Sequence, residues 1–126
     1  MEDNLRILVI DDDDVVREMI CRMLTDVGHE VTQARDGKEG LRIVAKEADI
    51  GMVISDLIMP EKEGIETIRE IRGDHPEMKI LAISGGGAGG AQAYLSLAGK
   101  IGADATLKKP FVSDELLSVV RDLVGN

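Results

Sequence analysis

The sequence predicts an α/β fold, a parallel β-sheet with a helix after each strand. Two observations carry this. Short apolar runs alternate five times with stretches whose apolar residues recur at helical spacing, and a βα unit repeated in this way closes by right-handed crossovers. Four of the apolar runs also lead into polar groups. Leu5 to Ile10 ends in Asp11-Asp12-Asp13-Asp14, Ile50 to Ile54 leads to Asp56, Ile80 to Ile83 ends in Ser84, and Ala105-Thr106-Leu107 ends in Lys108-Lys109-Pro110. In an open α/β sheet the carboxyl ends of the strands form one edge, and ligands bind there. That edge would gather carboxylates, a hydroxyl and an ammonium around Asp56. Such a set suits a divalent cation and a phosphoryl group.

The elements follow in chain order. Leu5 to Ile10 is apolar but for Arg6, as a strand covered on both faces should be. Val16, Met19, Ile20, Met23 and Leu24 mark the inward stripe of the first helix, with Asp14 as its N-cap and Gly28 as its stop. Glu30 to Ala34 is a short, more polar strand that suits a sheet edge. Asp36 and Glu39 fit a capping box, and Leu41, Val44, Ala45 and Ala48 mark the face of the second helix. After the strand from Ile50 and the Pro60 break, Ile65, Ile68 and Ile71 line a third helix that ends at Asp74-His75-Pro76. Lys79 to Ile83 is the fourth strand. Gly85 to Gly90 form a flexible loop around Ala88, and Tyr94, Leu97, Ala98 and Ile101 form the stripe of a fourth helix that Gly102 stops. Ala105 to Lys108 is the fifth strand. Ser113 is placed to cap the last helix, with Leu116, Leu117, Val120, Leu123 and Val124 inward.

Composition narrows the function. The 126 residues allow one domain, residues 1–126, with one sizeable core. Aromatic residues are 2%, Tyr94 and Phe111, so a stacking platform for bases or a flavin has almost nothing to be built from. The net charge of −9 brings no basic face, so nucleic-acid binding is not expected. Cys21 is the single cysteine, which precludes an intrachain disulfide, and inside a helix it reads as an inert packing residue. Met1-Glu2-Asp3-Asn4 is no signal peptide, and no apolar run reaches membrane-span length, so no membrane role and a cytoplasmic location are expected. His29 and His75 sit in turn contexts and read as solvated.

Each candidate residue has a plain reading when taken alone. Asp56 would be a turn or cap residue, Ser84 a strand-end hydroxyl that caps a turn, and Lys109 a surface lysine. Four neighbouring carboxylates are different, because they repel unless a cation or a helix end relieves them. In order, Asp11-Asp12 after the first strand, Asp56 with Met59-Pro60, Ser84, and Lys109-Pro110-Phe111 resemble the response-regulator receiver domains, the CheY-like family. The resemblance covers essentially the whole chain.

The resemblance implies a flavodoxin-like, doubly wound (βα)5 fold with strand order 2-1-3-4-5. It implies that Asp56 accepts a phosphoryl group from a phosphohistidine donor in a magnesium-dependent reaction. Asp12 would be a direct Mg2+ ligand, with Asp11 in the outer shell or bound through water. Asp56 and the backbone carbonyl of Ile58 would complete the protein's share. Asp13 and Asp14 fall to the helix N-terminus, where negative charge is favoured. Lys109 would pair with the phosphoryl oxygens, while Lys108, on the opposite side of the strand, stays at the surface. Ser84 would be the switch hydroxyl, and receivers commonly have a cis bond before the proline that corresponds to Pro110. The implied partners are a sensor histidine kinase or histidine phosphotransfer protein and an output protein reached by protein–protein contact, with the chain a monomer or weak homodimer. Such a chain is a signalling module rather than an enzyme.

Two rival signals exist. Gly85-Gly86-Gly87-Ala88-Gly89-Gly90 satisfies a dinucleotide-binding pattern between a strand and a helix, yet only one strand remains after it and that strand ends in Lys109 rather than an acid. Asp11-x-Asp13 resembles the nucleophile motif of the haloacid dehalogenase phosphohydrolases, but that reading leaves Asp56 to Pro60 unexplained. Three features depart from the receiver pattern. Thr106 stands where receivers usually carry an aromatic switch residue, Gly85 where Ala is usual, and the glycine-rich loop looks longer than usual.

Overall fold

The computed structural model describes residues 5–57, 63–85, 96 and 99–125. Five parallel strands form one sheet in the order β2-β1-β3-β4-β5. They are β1 (Arg6–Ile10), β2 (Glu30–Ala34), β3 (Ile50–Asp56), β4 (Lys79–Ser84) and β5 (Ala105–Lys108). Helices α1 (Asp14–Thr25), α2 (Gly37–Lys46) and α3 (Glu63–Asp74) connect β1 to β4 in turn, and a C-terminal helix, Ser113–Gly125, follows β5. The flavodoxin-like order expected from the sequence is the order observed, with the polar β2 on an edge.

Strand alternation divides the core into two layers. Leu8, Ile10, Val53, Ile80 and Ala82 face Val44 of α2 and Ile65, Ile68 and Ile71 of α3. Ile7, Val9, Met52, Ile54, Leu81 and Ile83 face Ile20, Cys21 and Leu24 of α1 and Leu116 and Val120 of the C-terminal helix. The two layers explain why the strands read as continuous apolar runs, since both faces of the sheet are covered. At the end of the sheet away from Asp56, Arg72 of α3 donates to the carbonyls of Gly102, Pro76 and Met78 and to Asp104. Gly102 has φ +124°, and a Cβ there would stand 2.7 Å from the Arg72 side chain. The positive φ and that close approach together call for glycine.

Several local expectations are corrected. Asp13, not Asp14, caps α1: its carboxylate accepts from the N–H groups of Val15 and Val16, and Asp14 begins the helix. Of the expected stripe of α1, Ile20 and Leu24 are buried and Val16 and Met23 pack against the core, but Met19 is exposed, and Arg17 and Cys21 are buried as well. On α2, Val44 is buried as expected, but Ala45 is exposed, Ala48 lies exposed beyond the helix end, and Gly37 and Gly40 are buried. Gly40 faces the sheet because the Ile10 side chain occupies the space that a Cβ would need. Ser113 lies in the first turn of its helix rather than at the cap, and Glu115 reaches back to accept from the N–H of Val112. His29 is not simply solvated: it is partly buried, and its Nδ1 accepts from the N–H of Leu5 at 3.0 Å. Asp36 caps α2 as expected, accepting from the N–H of Glu39, while Glu39 reaches back to the N–H of Arg35 rather than of Asp36; the stop at Gly28, with φ +102°, is as expected. Tyr94, Leu97, Ala98 and the stretch Gly86 to Gly90 lie outside the described residues. Gly85, Ser96 and Ile101 are inside them.

Candidate functional site

Three hydrogen bonds carry the sheet ladder one residue past the strands at its carboxyl edge. The N–H of Asp11 donates to the Ala34 carbonyl (3.2 Å), that of Leu57 to Ile83 (2.8 Å), and that of Lys109 to Ser84 (2.9 Å). Ile10 pairs with Ser55 in register, so Asp11 and Asp56 stand side by side on neighbouring strands. Ser84 pairs with Lys108, which brings Lys109 next to the same edge. The site is thus held by backbone bonds of the most buried part of the fold, a rigid base for functional side chains.

The structure brings the predicted residues together. Asp11, Asp12 and Asp56 each offer a carboxylate oxygen, and these oxygens lie within 4.8 Å of one another. Asp11 and Asp56 are buried at 1% and 6% exposure, whereas Asp12 is exposed. Lys109 Nζ stands 3.4 Å from Oδ2 of Asp11 and 3.4 Å from Oδ2 of Asp56. Ser84, fully buried, ends the adjacent strand. Thr106 on β5 and Lys108 are exposed. The Lys109-Pro110 bond is cis. Ile58, Met59 and Pro60 lie outside the described residues, so the expected Ile58 carbonyl ligand does too.

Burial pushes the Asp11 carboxyl above the ordinary carboxylate range, while the N–H of Asp13 and the Lys109 ammonium pull it back. Asp13 is committed elsewhere, since its carboxylate caps α1. That removes the second acid of the Asp11-x-Asp13 hydrolase motif. A hard cation needs clustered oxygens, and an exposed Asp12 beside two buried carboxylates provides a mouth through which a hydrated ion could enter. The donor set therefore fits a divalent cation of the magnesium kind.

Two supporting residues were not singled out from the sequence. Gly64, the second residue of α3, lies against the backbone of Asp56 and Leu57, where a Cβ would stand 2.7 Å from the Leu57 Cα and carbonyl oxygen. Arg17 is a buried arginine behind Asp11. Its signal was available, as a basic residue three positions after Asp14 and at helical spacing from Ile20, Cys21 and Leu24.

The response regulator receiver domain family matches residues 7–121. The chain belongs to that family. It is a receiver domain of the two-component response regulators, a class of signalling modules. Response regulator MprA of Mycobacterium tuberculosis is 38% identical over 124 residues, which are 96% of this chain and 51% of that protein. The chain spans about half the length of the curated relatives that it matches. A response regulator receiver domain protein from Clostridium thermocellum has a similar structure, with TM-score 0.88 and 33% identity over 96% of this chain and 94% of that one. A response regulator protein from Burkholderia pseudomallei, solved with a phosphorylated aspartic acid, calcium ion and citrate, has TM-score 0.81 and 28% identity over 93% of this chain and 66% of that one. No helix among the described residues is long and apolar enough to cross a membrane.

Proposed function

We propose that this receiver domain accepts a phosphoryl group on Asp56 from a phosphohistidine donor. The observation that carries the reading is the Asp56 carboxylate itself, at the end of β3, clustered with Asp11 and Asp12 and 3.4 Å from the Lys109 ammonium. An Asp56 oxygen attacks phosphorus. The P–N bond of the donor breaks, and the imidazole nitrogen keeps the electron pair. The product is an acyl phosphate, as on other aspartate nucleophiles. Asp11, Asp12 and Asp56 would hold Mg2+, joined by the Ile58 carbonyl that the family resemblance implies. When bound, the ion supplies positive charge to the phosphoryl oxygens. Lys109 balances the buried carboxylates before transfer and meets a phosphoryl oxygen after it. Ser84 donates its hydroxyl to another, which ties β4 to the state of Asp56. The phosphorylated aspartic acid in the Burkholderia pseudomallei protein supports the same chemistry here.

The donor would be a sensor histidine kinase or a histidine phosphotransfer protein, and the signal would leave by protein–protein contact in the cytoplasm from a monomer or weak homodimer. Incubation with acetyl phosphate and magnesium tests the site. The wild type should take up acid-stable, base-labile phosphate, and Asp56→Asn should not, because an amide is a poor nucleophile. Full labelling of Asp56→Asn, or label mapped to Asp11, would overturn the assignment.

A further inference from the structure

Arg17 occupies a core-facing position of α1, in line with Ile20, Cys21 and Leu24, and is 7% exposed. An aliphatic residue would pack there without the cost of burying a charge. Its guanidinium instead meets acceptors on three different segments. Nη1 donates to the backbone carbonyl of Asp11 at 2.8 Å, Nε to Oε1 of Gln33 on β2 at 2.8 Å, and Nη2 to Oδ1 of Asp14 at 2.6 Å. The first of these bonds matters for the acidic cluster. The Asp11 carbonyl belongs to the peptide plane that joins Asp11 to Asp12, and a peptide plane is rigid. Fixing the oxygen fixes the plane, and the plane sets where the Asp12 Cα stands. Asp12 is the one exposed member of the three-carboxylate group.

We propose that Arg17 is a positioning residue for the cation site: its guanidinium clamps the Asp11–Asp12 peptide against β2 and the start of α1, and so holds the Asp12 carboxylate in place. This rests on the reading of Asp11, Asp12 and Asp56 as a magnesium site. Two other contacts brace the same turn. The N–H of Asp13 donates to Oδ1 of Asp11 at 2.9 Å, and Asp13 caps α1. Arg17 adds a side-chain tie to β2, on Gln33, beside the backbone bond from the Asp11 N–H to the Ala34 carbonyl. The planar fork of arginine can serve three separated acceptors, which the single nitrogen of lysine cannot.

Charge and position predict opposite signs. Arg17 places a cation behind an acidic cluster, so simple electrostatics says that removing it should tighten Mg2+ binding. Loss of the clamp should weaken binding, and removal of outer contacts to metal ligands typically costs about 10–100-fold in affinity. The experiment is calorimetric titration of the full chain with magnesium chloride, without any phosphoryl donor. Wild type should bind, and Asp12→Ala should bind more weakly. Arg17→Gln should weaken binding by about 10-fold, and Arg17→Lys, which keeps the charge, should weaken it nearly as much. Gln33→Leu leaves the charge unchanged and frees Nε, so it should weaken binding several-fold; it also decides the matter if the Arg17 variants do not fold by circular dichroism. Tighter or unchanged binding in folded Arg17→Gln, wild-type affinity in Arg17→Lys, or unchanged affinity in Gln33→Leu would each overturn the proposal. Absence of magnesium binding in the wild type would overturn the metal reading itself, and this inference with it.

Discussion

Gly64 offers a sharp test of how the site is held, because two known effects predict opposite outcomes there. Alanine is the better helix former, and Gly64→Ala in α3 would gain at most ~1 kcal/mol on that ground. The structure puts steric cost against that gain. A Cβ on Gly64 would stand 2.7 Å from the Cα and carbonyl oxygen of Leu57, and would also press on the Asp56 carbonyl oxygen. All three atoms are backbone at the end of the central strand β3, so no side chain can swing aside. Restoring ordinary contact requires a shift of at least roughly 0.7 Å in the start of α3 or the end of β3. Overpacking of this kind costs about 1–3 kcal/mol, so the steric term wins and the net loss should be about 1–2 kcal/mol.

Gly73 on the same helix is the internal control. Nothing lies within 4 Å of a Cβ built there, so Gly73→Ala should be neutral or stabilising by up to ~1 kcal/mol. Urea unfolding followed by circular dichroism gives the comparison. With a slope of about 1–3 kcal/mol per M, Gly64→Ala should lower the midpoint by roughly 0.3–2 M. The same displacement bears on Asp56, and a misplacement near 1 Å can cost about 100-fold in rate. Phosphorylation of Gly64→Ala by acetyl phosphate should therefore slow by at least ~10-fold under conditions where it is folded. A Gly64→Ala variant as stable and as fast as wild type would refute the reasoning.

Three further outcomes are expected. A Cβ on Gly85 would stand 2.8 Å from Cβ of Lys109, so Gly85→Ala should shift that lysine and slow phosphorylation several-fold; an unchanged rate would show that the lysine adapts freely. Burial holds His29 below its ordinary pKa near 6.5, and its Nδ1 must stay unprotonated to accept from Leu5. The unfolded chain then takes the proton first, so this contribution is whole above about pH 6.5 and is lost as pH falls through the lowered folded value; His29→Gln should lose less stability than wild type between pH 7.5 and 5.5, and equal losses would exclude the role. Cys21 is 7% exposed with its thiol pushed up to about 11, so iodoacetamide should modify it at pH 8 only once urea unfolds the chain, and native-state labelling at the rate of a free thiol would contradict the burial.

The sheet was legible because four of its strands read as mainly apolar runs that lead into polar residues, and the order came with the family motifs. The misreadings share a cause: hydropathy says where oil belongs, not where space is short. Gly37 and Gly40 face the core of α2, yet glycine leaves no mark in an apolar pattern. The room that Gly40 leaves is taken by Ile10, a residue of β1. Ala45 and Ala48 are small enough to read as inward and turn out exposed. In the run Asp11 to Asp14 the side chains are chemically identical, so only the backbone path could tell that Asp13 is the cap. Arg17 was hidden for the opposite reason, since a charge is expected to face solvent and this one is buried with three acceptors around its guanidinium.

The same residues show why the acidic run can exist at all. Four consecutive carboxylates would repel one another if all were left in one environment. The fold gives them different fates. Asp13 turns to the helix N-terminus, where two N–H groups receive it. Asp14 opens that helix and pairs with Arg17 at 2.6 Å. Asp11 is buried, bound by the N–H of Asp13 and approached by Lys109. Asp12 is left at the surface beside Asp11 and Asp56. Two of the four thus stabilise the start of α1, and the other two face Asp56. The cap and the arginine pair are what let a short turn carry this much negative charge and still hold one geometry. Asp13→Ala should accordingly disturb the cluster from a distance: losing the cap costs about 1 kcal/mol of stability. It also frees the turn whose N–H binds Asp11, so magnesium affinity should fall although Asp13 is not among the clustered carboxylates.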